Sequence, residues 1–106
     1  MAIARIWSGR ADPAKADAYL QHFREKVLPA LDHIPGFLGA MLMRREDAGA
    51  VEYTVITRWI SMDAIRKFAG ADIDQAVVEP EAAAALVSYD KTVKHCEILE
   101  KVWASR

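Results

Sequence analysis

Val51 to Gly70 constrains this chain more than any other stretch, because a strand pattern there passes directly into a capped helix. Val51 to Trp59 (VEYTVITRW) is rich in β-branched and aromatic residues, which suit a pleated, half-buried surface. Ser61 follows as an N-cap whose hydroxyl can satisfy an orphan amide, Ile65, Phe68 and Ala69 form the sheet-facing side, and Gly70 is the stop signal. A tryptophan at a strand end beside a helix N-terminus is positioned to line the cleft between sheet and helix; plain core packing is the other role open to Trp59.

The rest of the chain supplies matching elements. Ala2 to Arg10 alternates as a first strand, with Ile3, Arg5 and Trp7 on one face and Ala4 and Ile6 on the other. Asp12-Pro13 opens a helix, Asp as cap and Pro at the first turn, where its missing amide is no loss. Ala16, Leu20, Phe23, Val27 and Leu31 form its apolar stripe, and Pro29 should kink its last turn. Ile34-Pro35-Gly36 ends it. Phe37 to Arg45 reads as a second strand, joined by a loop over Glu46 to Ala50 to the third. Ala71 to Glu79 is expected to add a helical turn or two. Pro80 starts a short helix through Ala85-Leu86-Val87, and Thr92 to Trp103 makes a long last strand.

The order β-α-β-β-α-β predicts an α+β, ferredoxin-like fold for a single domain, residues 1–106. It has a four-stranded antiparallel sheet with both helices on one face. The other face would meet water in a monomer and should be polar. It is not: strand two carries Phe37, Met41 and Met43 on one side and Leu38, Ala40 and Leu42 on the other, and Tyr53 and Val55 oppose Ile56. Two apolar faces need two covers, and a second copy of the sheet is the most economical one. A homodimer closing into a shared α/β barrel is therefore expected, with the last strand reaching across to bury Val102 and Trp103.

Charge and cysteine usage exclude several classes. With 14 basic and 15 acidic residues interspersed, no basic face argues for nucleic acid, and no apolar run is long enough to span a membrane. Cys96 is the only cysteine, so no internal disulfide can form. The opening Ala-Ile-Ala-Arg-Ile has no leader pattern, so a reducing cytoplasm is expected. Lys94, His95, Cys96 and Glu97 point alternately to opposite faces and cannot share one ion, so no metal site is expected.

Several short pieces carry a family likeness. They are Ile3-Ala4-Arg5-Ile6-Trp7, the helix start Pro13 to Tyr19, Ile34-Pro35-Gly36, Arg58-Trp59-Ile60-Ser61 with Ala64, Phe68-Ala69-Gly70, Pro80-Glu81 and Val93 to Ile98. The chain resembles the antibiotic biosynthesis monooxygenase-like family of dimeric α/β barrels, and Trp-x-Ser-x-x-Ala is the most diagnostic element. One branch of that family oxidises aromatic phenols or quinols with O2 and no metal or flavin. Another breaks open haem with an Asn on the first strand, a Trp ending the third and a His on the second helix. Trp59 matches that Trp, but Arg5 to Trp7 holds no Asn and Ile60 to Val78 no His.

The resemblance therefore implies a cofactor-free monooxygenase for a small aromatic or hydrophobic ligand. Trp7, Phe23, Trp59 and Phe68 would build an apolar slot, and Arg5 would stabilise the phenolate. Arg5 is the sharpest candidate, since a guanidinium between Ile3 and Trp7 is costly to bury without an anionic partner. Its duller partner is Glu97, in a cross-strand ion pair. His95 shares a face with Glu97 and is either a general base or a satisfied wall residue. His22 and His33 read as surface, and Tyr89 and Asp90 as cleft rim or turn. A haem or other hydrophobic-ligand binder without turnover, and a structural dimer with a filled cleft, are the competing readings.

Overall fold

In a computed structural model that describes residues 2–104, β1 (Ile3–Ala11) lies at the centre of an antiparallel sheet, flanked by β3 (Ala50–Trp59) and then β2 (Phe37–Asp47). On its other side β1 pairs with two short strands, β4 (Ser88–Tyr89) and β5 (Lys94–Glu97), so the fourth position of the ferredoxin-like sheet is filled in two pieces. The period-two pattern is cleanest in β3, where Val51, Tyr53, Val55, Thr57 and Trp59 are all buried towards the helices.

Asp12 caps the first helical run, its carboxylate accepting from the Ala14 amide at 2.9 Å, and Pro13–Lys15 makes one 3-10 turn before α1 (Ala16–His22). A π turn over Phe23–Val27 then leads into α2 (Leu28–Asp32), with the Leu28 amide reaching back to the Phe23 carbonyl. This is the form the Pro29 disturbance takes: proline has no amide to donate and its ring crowds the carbonyl four residues back, so the ladder widens ahead of it. α3 (Met62–Ala69) begins at Ser61, whose hydroxyl accepts from Ala64, and ends at Gly70.

Four expectations are corrected. The hairpin loop is only Ala48-Gly49, whose φ values of +52° and +82° fit a tight two-residue turn. A β-bulge between Phe37 and Gly39 flips the alternation of β2. Phe37 therefore joins Ala40 and Leu42 on the helix side, and Met41 and Met43 stay on the open face. Ala71 to Glu79 is irregular, not helical, and α4 is only Pro80–Ala84. The last strand ends at Glu97, opposite Ile3 where β1 begins; past it only the Ile98 amide continues the ladder, to the Ala2 carbonyl, and no strand follows among the described residues, which leaves Val102 and Trp103 exposed on the single chain.

The core forms two clusters on the helix side of the sheet. One gathers Tyr19, Phe23, Tyr53 and Val55 with Ala16 and Ala82, and the Tyr53 hydroxyl donates to the Ala16 carbonyl at 2.9 Å. The other gathers Ile3, Leu31, Trp59, Ala64 and Ile65. Gly36 joins the second cluster to the turn after α2. Its φ is +91°, its carbonyl accepts from Ile60, and a Cβ there would lie 2.6 Å from that of Ala64. Gly36→Ala should thus lower stability by about 2–4 kcal/mol, combining left-handed backbone strain with overpacking. Gly49→Ala has φ of +82° but open space around it, and should lose only about 1–2 kcal/mol. Equal losses in urea denaturation would refute the packing part of this account.

Candidate functional site

Where the two clusters meet, under α1 and α2 and beside the irregular segment, lies a partly open cavity of about 100 Å³. Its apolar walls include Trp7 and Val55 from the sheet, Tyr19, Phe23 and Leu31 from the helical run, and Phe68 from α3. Its polar groups are those of Arg5, Thr57 and His22, joined at the mouth by the exposed Glu79. An apolar void of about 150 Å³ admits benzene, so this one is on the scale of a single ring.

Arg5 is only 4% exposed, yet no carboxylate among the described residues lies within ion-pair distance of it. Its NH1 donates to the Ile73 carbonyl at 2.6 Å and meets His95 Nε2 at 3.0 Å, and its NH2 donates to the Gln75 carbonyl at 2.8 Å. A guanidinium has five N–H groups, so these three contacts leave two of them without a described partner. Here the expected Arg5–Glu97 pair is corrected: the register sets His95 directly opposite Arg5, while Glu97 falls opposite Ile3 and is exposed. The same contacts explain why residues 73–75 are not helical, since the carbonyls a helix would use internally turn to the guanidinium. Burial lowers the Arg5 pKa from its ordinary value, and Asp74 partly opposes this.

A guanidinium can only donate, so His95 Nε2 must carry a lone pair and the ring proton sits on Nδ1, which faces Asp74 Oδ1 at 3.4 Å. Both ring nitrogens are therefore engaged away from the cavity, and His95 acts on Arg5 instead of lining the wall. Trp59 also stands behind the wall, contrary to its expected place. It is fully buried, its Nε1 donates to Thr57 Oγ1 at 2.8 Å, and its ring lies between Phe37 and Phe68 with centroids 5.4 Å away in each case. It thereby orients two groups that do face the cavity. The Arg5 guanidinium lies 5.6 Å from the Phe68 centroid, which adds a cation–π contact.

Of the residues that the family resemblance implies for the site, Arg5, Trp7, Phe23 and Phe68 line one cavity, and Trp59 does not. The patterns missed Tyr19, Thr57 and His22. His22, expected at the surface, is 7% exposed, and neither ring nitrogen has a hydrogen-bond partner among the described residues. Its Nδ1 lies 3.4 Å from Glu81 Oε2, with an orientation too poor for a hydrogen bond. A buried polar group left unpaired costs about 1–3 kcal/mol, which makes the ring receptive to a ligand. The available signal was the spacing Ala16, Tyr19, His22, which is as helical as the stripe through Leu20. Tyr19 stacks among Trp7, Phe23 and Tyr53, and burial, then Tyr53, pushes its hydroxyl pKa far up.

The family model described as antibiotic biosynthesis monooxygenase matches residues 2–86. Among solved structures, the chain is similar to a provisionally designated antibiotic biosynthesis monooxygenase from Caulobacter crescentus: TM-score 0.71, 22% identity, covering 93% of this chain and 91% of that one. It is also similar to SnoaB, a cofactor-independent oxygenase from Streptomyces nogalater, at TM-score 0.65 and 19% identity over 95% and 96% of the two chains. The heme-degrader MhuD from Mycobacterium tuberculosis, with two hemes bound in its active site, gives TM-score 0.61 and 24% identity over 95% and 99%. At these identities the likeness establishes the fold. No curated protein sequence matches the chain significantly.

The Arg5–His95 contact carries a pH dependence. Burial first, then the charge of Arg5, lowers the His95 pKa, with Asp74 opposing. An unfolded histidine titrates near about pH 6.5, so as pH falls through that value the unfolded chain takes up a proton before the folded one, and stability drops. Denaturation midpoints compared between about pH 7.5 and 5 should fall less in His95→Gln, whose side-chain oxygen still accepts from Arg5, than in the parent. Equal falls would contradict the assignment.

Proposed function

The chain belongs to the antibiotic biosynthesis monooxygenase family, and from that premise we propose that it is a cofactor-independent monooxygenase acting with O2 on a small phenol- or quinol-type substrate. The observation that carries this reading is a buried guanidinium with N–H groups to spare, facing a ring-sized cavity walled by aromatic side chains. In such a site a phenol loses its proton readily, because Arg5 is fixed in advance to face the negative charge and no water shell has to reorganise. The phenolate is itself the reductant: a phenol with hydrogen para to its oxygen plus one O2 balances to a para-quinone plus one water. Trp7, Phe23 and Phe68 hold the ring, and Thr57 supplies a hydroxyl oriented by Trp59. His95 and Trp59 are positioning residues. The cofactor-independent oxygenase among the structural neighbours supports this chemistry.

A second reading, a hydrophobic-ligand or haem binder without turnover, draws on the heme-bound neighbour. The size of the cavity and the lack of any His between Ile60 and Val78 favour the smaller aromatic. The reading places the protein in a reducing cytoplasm, where the exposed Cys96 stays a thiol; no helix among the described residues is long and apolar enough to cross a membrane.

Oxygen uptake with one-ring phenols and quinols is the direct test. Arg5→Ala should lower kcat/KM about 10²–10³-fold, the loss typical of a transition-state charge donor. Trp59→Phe should lower it at most about tenfold, the kinetic equivalent of one weak contact. Uptake by no such substrate, together with tight haem binding in a visible-spectrum titration, would favour the second reading.

We further infer that the working unit is a homodimer. Ile6, Ile56 and Met41 form one row across three strands on the face away from the helices, and Leu38, Met41 and Met43 are 45–48% exposed. A second sheet is the natural cover for such a face. Light scattering at micromolar concentration should give twice the chain mass, and a monomeric mass would overturn the inference.

A further inference from the structure

We propose that His22 is the general base of this cavity, taking the phenolic proton on Nε2 while Glu81 steadies the resulting imidazolium from the Nδ1 side. The inference rests on the phenol-oxidising reading above and names the proton acceptor that reading lacks.

The cavity needs a group that accepts a proton near neutral pH and has an unoccupied lone pair. His95 does not qualify, because Arg5 occupies its Nε2 and its Nδ1 faces Asp74. Tyr19 is held as a neutral phenol by burial. Arg5 is already protonated, and Thr57 accepts the Trp59 indole proton on its oxygen. Glu79 is exposed at the mouth. His22 remains. Its side chain contributes to the cavity lining, and both ring nitrogens are buried with no hydrogen-bond partner among the described residues, so a phenol reaches Nε2 only by pressing into that wall. Glu81 Oε2 lies 3.4 Å from Nδ1, on the far side of the ring from Nε2. A small rotation of the 72% exposed Glu81 side chain would close that contact once the ring becomes charged.

The division of labour follows from the layers. His22 comes from α1 above the cavity and Arg5 from the sheet below it, so a ring bound between them meets a base on one side and a fixed cation on the other. The phenolic O–H bond breaks, an N–H bond forms on Nε2, and the electron pair stays on the substrate as phenolate, its charge facing Arg5. When oxygen has been transferred, His22 returns that proton to the departing oxygen, and the ring C–H supplies the second hydrogen of the water. The titratable and charged groups around His22 are Glu81 from α4, Glu79 before it, Tyr19 one turn back on α1 and Arg5 across the cavity.

The test uses the full chain labelled at its three histidines, under nitrogen, with para-nitrophenol as an acidic phenol probe. NMR of the ring nitrogens distinguishes neutral imidazole, whose two nitrogens differ, from imidazolium, whose nitrogens are alike. Saturation with the probe should convert one histidine to imidazolium as the yellow phenolate appears, and that signal should be missing in His22→Gln. Glu81→Gln, a change at an exposed side chain that leaves the fold intact, should reduce the imidazolium fraction of the same residue. In oxygen uptake with a one-ring phenol, His22→Gln should lower kcat/KM about 10²–10⁴-fold near neutral pH and recover part of it as rising pH ionises the substrate in solution. A bound probe with every histidine unchanged, or no binding by the parent protein, overturns the proposal. Protonation of His22 without oxygen uptake would instead sink the oxygenase reading and leave the base in place.

Discussion

Burying the Arg5 guanidinium is the demand around which much of this molecule is arranged. A charge taken out of water with no carboxylate beside it must find its partners elsewhere, and here they are two main-chain carbonyls and an imidazole lone pair. Meeting that demand pulls residues 73–75 out of helical geometry, fixes the tautomer of His95 and brings the irregular segment against the residues that lead into β5. Two hydrogen bonds secure it there, Ala76 to the Lys91 carbonyl and Val93 to the Asp74 carbonyl. The result is a cation whose position is set before any ligand arrives, the condition under which an electrostatic contact lowers a barrier most.

The cavity exists because the helix side of the sheet has two cores. Aromatic packing around Tyr19 and Tyr53 anchors one, Trp59 with Leu31 and Ile65 anchors the other, and Arg5 stands where they meet. The π turn ahead of Pro29 belongs to the same arrangement. One extra residue in that turn shifts the buried stripe around the helix, and consecutive residues His22 and Phe23 both become buried. Trp59 gives the site its rigidity from behind, holding the Thr57 hydroxyl and the face of Phe68. In this molecule the tryptophan that ends the third strand meets the cavity only through its neighbours.

The opposite face of the sheet answers to different physics. Its hairpin end is charged, with Arg10, Glu52, Arg45, Asp47 and Asp90 linked by ion pairs. Towards the middle the row through Ile6, Ile56 and Met41 is apolar. The bulge at Leu38 decides which side chains of β2 contribute to it, by moving Phe37 under α3 and leaving the methionines outside.

Local sequence was enough to determine the order of elements and most of their ends. Alternation in Val51 to Trp59, the Asp12-Pro13 and Ser61 caps and the Gly70 stop are short-range effects, carried by residues a few positions apart. Periodicity put Arg5 and Trp7 on one strand face, Phe23 on the apolar stripe of the first helix and Phe68 on the sheet side of α3; that these four share a site was implied by the family resemblance. Only tertiary structure decided what those faces meet. The register that sets His95 and not Glu97 beside Arg5, the bulge that reverses β2, the loss of helix after Gly70 and the burial of His22 all depend on partners distant in sequence. A charge or an unpaired ring nitrogen is satisfied by whatever the fold brings within about 3 Å, and no pattern along the chain encodes that distance.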